Sequence, residues 1–260
     1  MQLQQSFPDL QKRGIGLAAV SYDAQATLQA FSDKRSITFP LLSDAGSDTI
    51  RRYGILNTEA TGRAAGIPYP GTFLVDARAV VLSRSFEERY QERASAASLT
   101  TQAASGPRRG VHRTETPHLV LTTSSSDAAA APGTRISLLL DIAPRPKMHV
   151  YSPEQKELIP ISLSLASDDA FKAHPAKYPA SEKYFFEPLN ETQLVYSKPF
   201  RIVQDVTLSL TPALRERARA DGATLTLSGT LRYQACDDKV CYMPQTLPVS
   251  WTIALRPLER

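Results

Sequence analysis

Near residue 105 the rhythm of this chain changes, and with it the kind of core each part is able to build. From residue 117 onward short apolar runs follow one another: "LVLTT", "RISLLLDI", "ISLSLA", "FRIVQDVTLSL", "ATLTLSGTLRYQA" and "PVSWTIAL". In "ATLTLSGTLRY" apolar and polar residues alternate, which is the period of a strand with one buried face. Turn residues separate the runs, so the expected architecture over residues 117–260 is an all-β sandwich of immunoglobulin-like type. One stretch breaks the pattern. "TPALRERARADG" (211–222) reads as a short helix, capped by Thr211, with Pro212 at its first position and Gly222 past its end.

Residues 1–100 alternate strand-like and helix-like stretches instead. "GIGLAAVSYD" (14–23) predicts a buried strand, and Asp23 is placed to cap a helix over "AQATLQAFSDK" with Leu28 and Phe31 on one face. "ITFPLLSD" (37–44) predicts a second strand, and "DTIRRYGIL" a helix with Ile50 and Tyr53 at i and i+3. "GTFLVDARAVVLSRSF" (71–86) predicts a hairpin turning at 76–78, and "EERYQERASAASLTTQAA" a charged, alanine-rich helix. Helices interleaved with strands imply an α/β domain. Between the two parts, residues 101–116 are poor in apolar residues and read as a linker, and "TTSSSDAAAAPG" (122–133) reads as a surface loop.

The net charge of +4 invites an anionic partner, but the charges are balanced in each part. Residues 1–100 hold 11 Lys and Arg against 10 Asp and Glu, and residues 117–260 hold 16 against 15, so no basic face for nucleic acid is implied. No run approaches the ~20 apolar residues of a membrane span, and "MQLQQSFPDLQKRG" lacks the apolar core of a signal peptide. Oligomeric state is not legible from the residues.

Both cysteines, Cys236 and Cys241, fall in "YQACDDKVCYMP" (233–244). Two in 260 residues do not make a disulfide-rich scaffold, so the pair needs a local explanation. Five positions apart, they are able to close across a hairpin with "DDKV" at its tip. A redox couple, a passive staple and a metal clip all remain open. The staple gains only about 2 kcal/mol from so short a loop. The clip needs two further ligands, and His112, His118, His149 and His174 include no close pair. No cofactor signature is present in either part.

Two resemblances bear on the choice. At "AAVSYD", "FPLLSD", "RRYGILN" and "GIPYPGTFLVD" the first part resembles a peroxiredoxin-like thioredoxin-fold domain of the alkyl hydroperoxide reductase and thiol-specific antioxidant (redoxin) family. That resemblance implies a cis-proline at Pro70, before a strand facing the active site. It also implies a strand and a reactive cysteine that this sequence lacks, because no cysteine precedes residue 236. As written, the first part is expected to be an N-terminally truncated thioredoxin-like domain, unable to act as a peroxidase without a thiolate. A peroxiredoxin-type activity is expected only of a chain that extends upstream.

The second part resembles the N-terminal periplasmic domain of the DsbD thiol:disulfide interchange family. "KMHVYSP" (147–153), "EKYFFEPLNET" (182–192), the cysteine segment and "LPVSWTI" carry the likeness. It implies an immunoglobulin-like domain whose dithiol/disulfide pair relays electrons in the periplasm. Its partner would be a redox protein, either thioredoxin-like or a membrane thiol reductase. By resemblance Cys241 joins the partner and Cys236 resolves the intermediate. "EKYFFEP" corresponds to a cap loop shielding the pair, with Phe185 first and Tyr184 second as the shielding side chains. The rival expectation is a non-enzymatic interaction module with an inert disulfide. His149 reads as a structural histidine.

Overall fold

The computed structural model describes residues 2–86, 92–100, 108–156, 158–186 and 190–258. It divides into two compact units, Met1–Leu99 and Thr100–Arg260.

The first unit opens with the helix Gln2–Lys12, whose Phe7 and Leu10 are buried. Phe7 meets Phe39 edge to face, with ring centroids 5.6 Å apart. The strands Ala19–Ser21 and Leu41–Ser43 pair in parallel, and the helix Gln25–Arg35 crosses between them in sequence. Leu28 of that helix is buried, whereas Phe31 is exposed. Asp23 does not cap it: the N-cap is Ala24, without a side-chain bond, and the Asp23 carboxylate accepts from the Ser21 hydroxyl at 2.5 Å. The following helix, Asp48–Arg52, buries Ile50 and leaves Tyr53 exposed. The hairpin Gly71–Val75 with Val81–Phe86 forms as expected, around the Asp76 carboxylate, which accepts the Arg78 and Val80 N–H groups. Among the described residues the parallel pair and the hairpin are separate sheets. The helix expected over 87–104 is corrected in part: Ala96–Thr100 is helical but Arg93–Ala94 is a short strand, and residues 87–91 and 101–107 lie outside the description.

No peptide bond among the described residues is cis, so the expected cis-proline at Pro70 is corrected to trans. Trans is the lower form of an X–Pro bond by about 0.5–1 kcal/mol. The neighbouring chain ties, Tyr69 N–H to Ile55 O and the Leu56–Pro68 bridge, are made with it.

Among its described residues the second unit is built of strands and the short helix Pro212–Arg217. One sheet runs in the order Ser162–Leu165, Thr224–Tyr233, Gln245–Leu255 and Ala129–Ala130. A second includes, in order, Phe171–Ala173, Phe200–Leu208, Thr134–Pro144, Leu119–Ser125 and Arg109–Glu115. Their facing side chains share one core: Leu121, Ile136, Leu138 and Ile202 from the latter meet Leu225, Leu227, Trp251 and Ile253 from the former. Burial alternates strictly at the end of Gln245–Leu255, as its period-two sequence requires. The helix Pro212–Arg217 has its expected cap, with Thr211 Oγ1 accepting from Leu214 N–H.

Two expectations are corrected here. Arg109–Glu115, read as part of the 101–116 linker, is a strand paired with Leu119–Ser125. Its side chains are mostly exposed, so it carries no apolar signal; its backbone pairing and the turn at Thr116, whose Oγ1 accepts from Leu119 N–H at 3.0 Å, hold it. The stretch 122–133 is not a surface loop, because Ser124, Ser125 and Ser126 are buried. Local bonds absorb hydroxyls of this tract: Ser125 donates to Asp127 O, and Ser126 Oγ accepts from Ser137 N–H.

Candidate functional site

A third, smaller sheet in the second unit carries the cysteines. Its order is Glu182–Phe186, Glu191–Tyr196, His149–Tyr151 and Ala235–Cys236. The last strand is brief because the chain must reverse at once, and Asp237 makes it reverse. Its carboxylate accepts the N–H groups of Lys239 and Val240, both at 2.8 Å, and the Tyr242 hydroxyl at 2.8 Å. Those bonds, the Val240 N–H foremost, hold the Asp237 carboxyl below its ordinary value. Tyr242 N–H then returns to Ala235 O at 2.9 Å, closing the hairpin.

Across this hairpin Cys236 and Cys241 are joined as a disulfide, with Cα atoms 4.1 Å apart. The two sulfurs have unequal surroundings. Cys236 is buried at 1 % exposure, whereas Cys241 is exposed at the surface, beside the exposed Val240 and Met243. Cys236 packs with Tyr151 and Val195, and Tyr184 closes over this cluster.

Tyr151 is the polar contact of the bond. Its hydroxyl lies 2.9 Å from Cys236 Sγ and 3.2 Å from Cys241 Sγ. Burial first, and the nearby Tyr184 second, push the Tyr151 hydroxyl up to about 12, so it stays a proton donor across the working pH range. His149 stands opposite Cys236 in the strand register. Its ring lies 4.7 Å from that of Tyr184, tilted by 38°, and meets Tyr151 edge-on at 5.7 Å. Burial pushes the imidazole below its ordinary value, favouring the neutral ring, and the Asp237 charge opposes this.

The structure thus brings together Cys236, Cys241 and Tyr184, and it leaves Phe185 on the other face of the Glu182–Phe186 strand, 54 % exposed. Successive strand residues point to opposite faces, so only one of this pair is able to reach the cluster. The remainder of the cap segment, residues 187–189, lies outside the described residues. Pro70 belongs to the first unit. Sequence reasoning missed Tyr151 and set His149 aside. The available signal was their spacing of two in "HVY", which puts both on one face of any strand.

Residues 118–251, half of the chain, match the family described as thiol:disulfide interchange protein DsbD, N-terminal. The chain belongs to this family. Residues 1–84 match the AhpC/TSA family, which fits the thioredoxin-like reading of the first unit. No curated protein matches the chain. Among solved structures, the N-terminal periplasmic domain of ScsB from Proteus mirabilis is 14 % identical, with a TM-score of 0.38 over 58 % of this chain and 52 % of that one. The Neisseria meningitidis DsbD N-terminal domain in the reduced form is 15 % identical, with a TM-score of 0.31 over 52 % of this chain and 86 % of that one. The match therefore spans about half of the Proteus chain. No described helix is long and apolar enough to cross a membrane. Among the described residues, no group of three or more His, Cys, Asp or Glu side chains is arranged to hold a metal ion.

Proposed function

We propose that the second unit exchanges disulfides with a redox partner protein through Cys236 and Cys241, relaying electron pairs. The observation that carries this reading is the inequality of the two sulfurs, one buried and one exposed. A partner thiolate attacks the sulfur it reaches, and the other sulfur leaves. Cys241 is then the sulfur that forms the mixed disulfide; Cys236, beside the Tyr151 hydroxyl, leaves when a partner dithiol reduces the pair, and attacks the mixed disulfide when the reduced pair passes its electrons to a partner disulfide. A thiolate leaving into a buried site needs a hydrogen-bond donor, and Tyr151 is one at this position.

The partner class is a thioredoxin-like protein or a membrane thiol reductase, and the compartment is the periplasm, where a disulfide persists. We read the arrangement of sheets as immunoglobulin-like. The shielding expected of Phe185 and Tyr184 falls, in this reading, on Tyr184. Residues 1–99 hold no cysteine, so they supply no thiolate for peroxide reduction themselves.

Trapping tests the assignment. Cys236→Ser should hold a thioredoxin-like partner as a lasting mixed disulfide through Cys241, and Cys241→Ser should hold little. Equal trapping by the two variants would overturn the roles. Trapping by neither, with a potential well below about −300 mV, would mark the bond as an inert bridge.

A further inference from the structure

While the disulfide is closed, a side chain beside it keeps a ring nitrogen unpaired among the described residues. His149 is 3 % exposed, and its Nε2 has no hydrogen-bond partner among the described residues. A buried polar atom left unpaired is costly, so its presence beside a reactive bond needs a reason. His149 and Cys236 are directly opposed in the antiparallel register. That puts both side chains on one face of the sheet with their β-carbons about 4.5–5.5 Å apart. The ring is fixed in place by Tyr184 on one side and Tyr151 on another, and the titratable groups facing it are these two tyrosines, Cys236 and Asp237.

A disulfide sulfur has no proton to donate. A thiol has one, and a thiolate is a strong acceptor. We infer that His149 is a positioning residue of the dithiol state: when the Cys236–Cys241 bond opens, Cys236 Sγ pairs with His149 Nε2. This rests on the exchange reading above. The electrons and protons balance against a dithiol partner. Its first thiolate bonds to Cys241 Sγ; the Cys236–Cys241 bond breaks, and the electron pair stays on Cys236, which takes up a proton. The partner's second sulfur then displaces Cys241, which leaves as a thiolate and is protonated. The partner is oxidised to a disulfide, and its two thiol protons match those gained by the pair. Throughout, the Nε2 that is idle in the disulfide holds the inner sulfur in the dithiol, and so stabilises the reduced form.

The test uses the whole chain and chemical reductants. His149→Phe keeps a ring between Tyr184 and Tyr151 but removes the nitrogen. In a glutathione or dithiothreitol series it should shift the equilibrium roughly three- to tenfold toward the disulfide, about 14–30 mV for a two-electron couple. His149→Gln, which restores a polar group, should recover part of that shift. In the wild-type chain the imidazole ¹⁵N resonances should move between disulfide and dithiol forms, which decides the matter even if a variant fails to fold. An unchanged potential in folded His149→Phe, or identical Nε2 shifts in the two forms, would overturn the inference. Neither readout needs a protein partner, so failure of the trapping experiment and failure of this inference are told apart by separate measurements.

Discussion

The two units share a vocabulary of short apolar strands, yet they bury them to very different extents. In the second unit, Thr224–Tyr233 and Gln245–Leu255 pair along their lengths and press Leu225, Leu227, Trp251 and Ile253 against the facing sheet. In the first, Val20, Leu42, Val81 and Leu82 lie on two-stranded pieces and remain exposed. An apolar strand becomes core only where neighbouring strands and a second layer meet it. The same difference separates the chemistry. The cysteines and their aromatic surround sit in the unit whose sheets are joined by many long-range pairs, so the positions of these side chains are over-determined.

Core deletions should break the comparison most sharply. Trp251 is the only tryptophan and lies in the second unit, so its fluorescence follows that unit alone. Leu138→Ala, at a fully buried site, should cost about 2–5 kcal/mol in a urea titration read by that fluorescence. Leu42→Ala should leave the same transition in place. Comparable losses from both substitutions would mean that the units unfold as one.

Two glycines sharpen it at the level of the backbone. A methyl group on Gly229 would overlap the Ser164 carbonyl oxygen of the adjacent strand, whereas on Gly71 it would overlap the ring of Phe86. Backbone yields less readily than a side chain. Gly229→Ala should therefore cost about 1–3 kcal/mol, and Gly71→Ala clearly less, since the Phe86 ring is able to turn aside. Circular dichroism against urea measures both.

The smallest effect concerns the hydroxyl at the disulfide. Tyr151→Phe should cost about 1 kcal/mol at neutral pH, the ordinary net worth of such bonds. Its pH dependence is the sharper sign. The folded hydroxyl titrates near 12 against an unfolded value of 10.0, so the folded form keeps a proton that the unfolded chain loses. The associated stability is complete below pH 10 and drains away as pH rises toward 12. Tyr196 is likewise pushed up to about 12, so Tyr151→Phe should shrink the alkaline loss rather than abolish it.

Much of the second unit was legible in the sequence because its signals are local. Alternation identifies the long strands, and Thr211 with Pro212 identifies the helix. What was not legible depends on distant partners. Nothing in "HVY" announces a strand of three residues; it exists because Tyr196 and Val195 pair on one side and Ala235 and Cys236 on the other. Ser125 and Ser126 are polar by composition and buried by context, since Asp127 and Ser137 satisfy their hydroxyls. Phe31 fits a helical apolar face, but no second layer covers it enough to bury it. At the site, the spacing made a bond between the cysteines feasible without deciding it, while the faces taken by Tyr184 and Phe185 needed the strand's register.

The Asp237 turn reaches beyond its own hairpin. Its bonds to Lys239, Val240 and Tyr242, the return of Tyr242 to Ala235, and the pairing of Ala235 with Val150 do not involve sulfur. Cutting the disulfide leaves those constraints in force, so the two thiols stay neighbours at a high effective concentration instead of drifting apart with the loop. In the proposed relay, a partner held on Cys241 would always face a competing sulfur close by, and its residence would be short. A carboxylate that never touches the redox bond would set how quickly the domain lets its partner go.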